Sequence, residues 1–143
     1  PSDLNAAYLW AQLEEAEKIN DNRLDTYNFY YEALSALEDR ELIELPFVPE
    51  EAVHNAHMFY LKVENLEVRT KLIDYLKTKG IQTVFHYIPL HTSPAGVRYG
   101  RFNGEDRYTT MESERLVRLP MYYGLERADA QTVVDAIYTF YGA

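Results

Sequence analysis

Residues 57–87 constrain the fold of this chain more than any other stretch. Residues 57–63 (HMFYLKV) combine aromatic and branched side chains in the way of a β-strand. Asn65 then stands at a helix N-cap position. Val68, Leu72, Ile73 and Leu76 recur on one helical face, and Gly80 is placed to end the helix. Glu67 and Lys71 sit four apart on the wet side, with the acid N-terminal as such pairs prefer. Residues 81–87 (IQTVFHY) read as a second strand. Strand, helix and strand in this order make either a parallel pair with a right-handed crossover or a shorter sheet with mixed pairing. Both predict an α/β domain, a short sheet of about three strands packed with helices.

The flanking segments supply the remaining layers. Ser2 or Asp3 can cap a helix carrying Leu4, Ala7, Tyr8 and Ala11 on one face. After a polar interval at 14–22, Leu24, Tyr27, Tyr31 and Leu34 form a second stripe that ends near Leu37. Two helices or one kinked helix fit equally well. Tyr27, Phe29, Tyr30 and Tyr31 go most of the way round that helix, which therefore needs several neighbours. Residues 42–47 read as a brief edge strand closed by Pro46 and Pro49. Residues 88–107 lose all periodicity and hold Pro89, Pro94, Gly96, Gly100 and Gly104; ordered loops of that length are usually functional or packed on a neighbour. Thr109 with Glu112 has the capping-box spacing and predicts a short helix stopping at Leu119 and Pro120. Ala130, Val133, Val134, Ile137 and Tyr141 mark a last helix.

Composition narrows the function classes. The chain of 143 residues is the size of one domain, 1–143, and at 47% apolar it can build a core without staples. It has no cysteine, which removes disulfides, thiolate nucleophiles and cysteine zinc sites together. A formal charge of −9 removes the counterion-release drive behind nucleic-acid binding. No apolar run approaches the roughly 20 residues that span a bilayer, and residues 1–4 (PSDL) do not read as a signal peptide, so none is expected. A cytoplasmic setting is the expectation. The first residue is not methionine and a helical pattern starts at once, so a piece of a longer chain is expected.

Candidate chemistry is sparse. The four histidines are His54, His57, His86 and His91, and no carboxylate sits near them at a metal-ligand spacing in the sequence, so no metal site is expected. Glu14–Glu15 and Glu105–Asp106 read as solvated acid pairs. The five lysines, Lys18, Lys62, Lys71, Lys77 and Lys79, fall on wet faces or helix ends, with Lys62 alternating outward in its strand. None reads as desolvated enough for a Schiff base. There is no nucleophile elbow and no phosphate-cradling glycine loop. The informative segment is 86–91 (HYIPLH). It puts His86, Tyr87 and His91 where a strand leaves the sheet and opens onto the long loop, a common place for ligand contacts. The bland alternative is that His86 only bonds a backbone carbonyl at the sheet edge.

Three stretches carry a resemblance. Residues 1–7 (PSDLNAA) running into Gln12 and Leu13, residues 86–91 (HYIPLH), and residues 113–122 (SERLVRLPMY) resemble, in order and spacing, the DegT/DnrJ/StrS-type sugar aminotransferases. Residues 55–60 (NAHMFY) and 104–110 (GEDRYTT) are similar to the branch that makes dTDP-4-amino-4,6-dideoxygalactose for enterobacterial common antigen. Tyr122–Tyr123 and Thr92–Ser93 depart from the family pattern. The resemblance implies the small C-terminal domain of a fold-type-I enzyme, dimeric and dependent on pyridoxal phosphate. Such enzymes move an amino group from glutamate to the keto carbon of a nucleotide sugar, here a dTDP-linked 4-keto-6-deoxy sugar. It also implies that the cofactor's lysine lies in a large domain upstream, so this chain alone is inactive and binds no cofactor. His86, Tyr87 and His91 would face the nucleotide sugar, and Ser2 and Asp3 would begin a helix near the cofactor pocket. A different class fits the same residues: a free-standing binding or regulatory module whose pocket is the 86–107 loop.

Overall fold

The computed structural model describes residues 2–143. Its elements are α1 (Asp3–Glu14), α2 (Ala16–Glu38), β1 (Phe59–Lys62), α3 (Leu66–Thr78), α4 (Pro94–Tyr99), α5 (Thr109–Arg115), β2 (Leu116–Leu119) and α6 (Arg127–Tyr141). β1 and β2 pair antiparallel, from Phe59 opposite Leu119 to Lys62 opposite Leu116. Single antiparallel bridges add one segment to each edge, Glu44 against Lys62 and Val84 against Arg118. The spatial order is therefore 44, β1, β2, 84. The 84 segment runs in the direction of β1, with β2 between them, so the strand–helix–strand unit crosses over without forming a parallel pair.

Period-two alternation sets the two faces. Phe59 and Leu61 of β1 and Val117 and Leu119 of β2 are buried, while Tyr60, Lys62, Leu116 and Arg118 between them are half-covered. Against the buried face lie Tyr30, Leu34 and Leu37 of α2, Leu72 and Leu76 of α3, and Ile137 of α6, each fully enclosed. The Tyr27 and Tyr30 rings stand 5.0 and 5.2 Å from Phe59. Tyr30 donates its hydroxyl to the Pro120 carbonyl at 3.2 Å, and Tyr138 to that of Ala33 at 2.9 Å. Tyr30 and Tyr138 thus pack their bodies in the core and keep a partner for each polar tip. Asn65 caps α3 through its side chain, accepting from the Val68 amide at 3.0 Å, and Gly80 follows the helix at φ +76°.

Several expectations need correction. Residues 42–47 make a single bridge and not a strand, since Pro46 has no N–H to extend the ladder. Residues 81–87 also contribute one bridge only, at Val84. The helix opened at Thr109 ends at Arg115, and residues 116–119 form the strand that pairs with β1. Four residues between a helix and a proline are too few to show either period, and the partner strand decides their conformation. Thr109 does not cap α5, whose preceding residue is Tyr108. The 88–107 stretch is not structureless: a 3-10 turn at Leu90–Thr92 leads to α4, capped by Ser93 with Pro94 in its first turn. α1 and α2 are two helices broken at Glu15, and the polar interval at 14–22 is largely helical. α1 buries nothing among the described residues: Leu4, Tyr8, Leu9, Trp10 and Leu13 are all exposed.

Candidate functional site

The site grows from the edge segment that follows Val84. Val84 and Arg118 exchange both backbone hydrogen bonds, which fixes that segment to β2. Three residues on, the Tyr87 carbonyl accepts from the Ser113 hydroxyl of α5. Arg69 of α3 completes the strapping: its guanidinium lies 5.2 Å from the Phe85 ring centre and donates to the Ser113 carbonyl at 2.9 Å. Residues 84–87 are thus tied to a strand and two helices, which holds the side chains they carry in defined places. His86 is half-buried, and its ring meets that of Tyr87 edge-on at 4.4 Å. His86 Nδ1 is buried with no hydrogen-bond partner among the described residues. Tyr87 is 70% exposed, its phenol free to meet a ligand.

Pro89 turns the chain into the 3-10 turn that presents His91. His91 Nε2 lies 2.7 Å from Asp106 Oδ2, and both side chains are about four-fifths covered, at 18% and 20% exposure. The Phe102 ring packs on the imidazole at 4.3 Å. Asp106 also accepts from Thr110, through the hydroxyl at 2.5 Å and the amide at 3.3 Å. These Thr110 bonds, with the His91 contact, outweigh partial burial and hold the Asp106 carboxyl below its usual range. The reading of Glu105–Asp106 as a solvated pair therefore holds only for Glu105, whose partner is the exposed Arg107. Asp106 caps the first turn of α5 through the Thr110 amide and steadies His91 at the same time. A carboxylate does reach His91, across fifteen positions of sequence. An acidic residue just before a helix start was the available signal for the cap, but nothing in the sequence spacing pointed to the histidine.

The other two histidines stay apart from this cluster. His54 packs edge-on against Tyr27 at 4.5 Å, and the His57 ring contacts Asn55 Oδ1 at 3.3 Å. No group of three or more histidines and carboxylates converges as metal ligands among the described residues. Lys62 is more covered than the outward alternation implied. Its side chain is 19% exposed and pairs with Glu44 at 2.5 Å and Glu112 at 2.8 Å. Burial works to lower its pKa, but those two hydrogen bonds outweigh it and the net shift is upward. A lysine held charged in this way is no amine nucleophile. Lys18 and Lys71 pair with Glu15 and Glu67 on exposed helix faces, Lys79 lies over the Tyr75 ring, and Lys77 is exposed.

The fold and the sequence profile define a class. The sequence profile of the DegT/DnrJ/EryC1/StrS aminotransferase family matches residues 2–138, and the chain belongs to that family. Among solved structures, the aminotransferase TlmJ from Streptoalloteichus hindustanus superposes with a TM-score of 0.81 at 20% identity, over 92% of this chain and 34% of that one; at that identity the likeness carries the fold. DesV from S. venezuelae, solved in complex with a ketimine intermediate, gives 0.78 at 27% identity over 94% of this chain and 35% of that one. NtdA from Bacillus subtilis, solved with bound cofactor PMP, gives 0.73 at 25% identity over 87% and 29%. The chain spans about a third of the length of each of these structures. The architecture is the mixed α/β one expected, that of a domain of a fold-type-I aminotransferase, with two regular strands where about three were expected. Among the described residues, Lys62 is held charged by two carboxylates and the other four lysines are exposed, so none of the five is placed to act as a Schiff-base amine.

Proposed function

We propose that this chain, 1–143, is the C-terminal domain of a pyridoxal-phosphate-dependent aminotransferase and that His86, Tyr87 and His91 face its nucleotide-sugar substrate. Family membership over residues 2–138 supports the reaction class. The observation that carries the site is the fixing of His86 and Tyr87 on a segment bonded to β2 and of His91 in the 3-10 turn that follows. Tyr87 is exposed, and His86 holds an imidazole nitrogen that has no partner among the described residues. Buried polar groups without partners cost about 1–3 kcal/mol, and a ligand or an adjoining domain that completes them recovers that cost.

In the whole protein the remaining length would supply the Schiff-base lysine and the phosphate and ring partners of the cofactor. The cofactor supplies the amino-group chemistry. This chain would supply orientation of the sugar, exclusion of water and part of the surface shared with a second subunit, and would be inactive by itself. The substrate we propose is a dTDP-linked 4-keto-6-deoxy sugar, with glutamate as amino donor. The 55–60 and 104–110 segments favour the dTDP-4-amino-4,6-dideoxygalactose transaminase of enterobacterial common antigen synthesis. No helix among the described residues is long and apolar enough to cross a membrane, and we place the enzyme in the cytoplasm, where nucleotide sugars are made.

The test is His86→Ala in the full-length enzyme, with the two half-reactions measured separately. Losing one hydrogen bond to the sugar in the transition state corresponds to roughly tenfold in kcat/KM. That loss is expected in the nucleotide-sugar half and not in the glutamate half. Equal losses in both halves would contradict a sugar-side role.

A further inference from the structure

We infer that Asp106 is a positioning residue: it fixes His91 in the Nε2–H tautomer and thereby turns the Nδ1 lone pair into an acceptor for a hydrogen-bond donor of the substrate, a sugar hydroxyl. This rests on the reading that His91 faces the nucleotide sugar. The tautomer follows from counting protons around Nε2. Asp106 sits 2.7 Å from Nε2, and a carboxylate held ionised can only accept. Thr110 Oγ1 is the other neighbour of Nε2, at 3.4 Å. A threonine hydroxyl has one proton, and that proton is committed to Asp106 across 2.5 Å. Both neighbours thus present lone pairs to Nε2, and only a protonated Nε2 suits them.

In the neutral ring the role of the remaining nitrogen is then set. In neutral imidazole the nitrogen opposite the donor is an acceptor, and His91 Nδ1 makes no hydrogen bond among the described residues. Phe102 against the ring and the clasp at Nε2 remove most of the freedom to flip the imidazole. Asp106 is itself immobilised, because the Thr110 amide ties it to the start of α5. A preset acceptor matches a hydroxyl or a pyrimidine N–H and mismatches a phosphate oxygen. On the hexose it would read one hydroxyl. Such a contact is specific, since a ligand lacking the donor leaves a polar atom unpaired.

The experiment uses the full-length protein, labelled with 15N-histidine. Long-range 1H–15N correlation spectra of the wild type should show His91 as the Nε2–H form, and Asp106→Asn should shift it toward a mixture. In half-reaction kinetics, Asp106→Asn should lower kcat/KM for the nucleotide sugar about tenfold and leave the glutamate half unchanged. Added to His91→Ala, it should cost nothing further. Affinity for dTDP alone should be unaffected. Thr110→Val, which keeps the side-chain shape, should give a smaller loss of the same kind. An Nδ1–H wild-type form, or a full loss in His91→Ala with none in Asp106→Asn, would overturn the role of Asp106. Weaker binding of dTDP alone would overturn the assignment to a sugar hydroxyl. No effect of His91→Ala on the sugar half would instead overturn the underlying reading of His91.

Discussion

Tyr30 shows how much a single side chain decides in this core. Its ring is fully enclosed, and burial drives its phenol far above the usual tyrosine range, so it serves as a neutral donor to the Pro120 carbonyl. That bond ties α2 to the residue that ends β2. Tyr30→Phe keeps the ring and leaves a carbonyl unpaired, so a loss of about 1 kcal/mol in denaturant unfolding is expected. A loss near the 3–5 kcal/mol typical of removing a whole aromatic ring would mean the substitution had disturbed packing as well. At this scale His86, Tyr87 and His91 were legible in the sequence as a cluster of rare polar rings beside a proline. Asp106, Thr110 and Phe102 were not, because they meet His91 only after the chain folds back across eleven to nineteen positions. Ser113 and Arg69 were missed for the same reason: their side chains reach the 84–87 segment only in the folded chain, and two of those bonds end on carbonyl oxygens, which leave no trace in residue type.

Among the elements, the long amphipathic helices and β1 could be read, and β2 could not. α3 and α6 carry their full periodic stripes, and their buried residues are the expected ones. β2 has four residues, and its conformation is chosen by β1 across from it. The sheet edges are held as much by charge as by backbone. Glu44 pairs with Lys62 and with Arg115, which reaches it at 3.2 Å, and Glu112 pairs with both cations. The Lys62 hydrogen bond lowers the Glu44 pKa below its ordinary 4.5. A carboxyl lowered on folding contributes stability above its unfolded value, and that contribution is lost as pH falls through the folded value. Lys62, raised above 10.5, contributes below that pH and loses its share as pH rises through the folded value. The melting temperature should therefore be flat across the neutral range and fall below about pH 4.5. Glu44 is about half exposed, so solvent screening keeps its share at or below about 1 kcal/mol. Glu44→Gln should lower the neutral plateau slightly and flatten the acid limb. An acid limb unchanged by Glu44→Gln would show that the edge is not held by this network.

For the molecule as a whole, the chain closes a core over one sheet face and leaves a helix and a loop surface unfilled. α1 exposes five large apolar side chains, and His86, beside the exposed Tyr87, keeps a buried ring nitrogen with no partner among the described residues. Composition already set aside nucleic acid, thiol chemistry and cysteine zinc sites, and the arrangement of the lysines sets aside a Schiff base on these residues. Each lysine is exposed on a helix or bound to carboxylates. The central claim is that this domain orients the sugar while the cofactor is held by other residues of the whole protein. The most direct test is borohydride reduction of the full-length enzyme with pyridoxal phosphate, followed by peptide mapping of the adduct. The account predicts one stoichiometric adduct lying outside residues 1–143. A stoichiometric adduct on Lys18, Lys62, Lys71, Lys77 or Lys79 would contradict it.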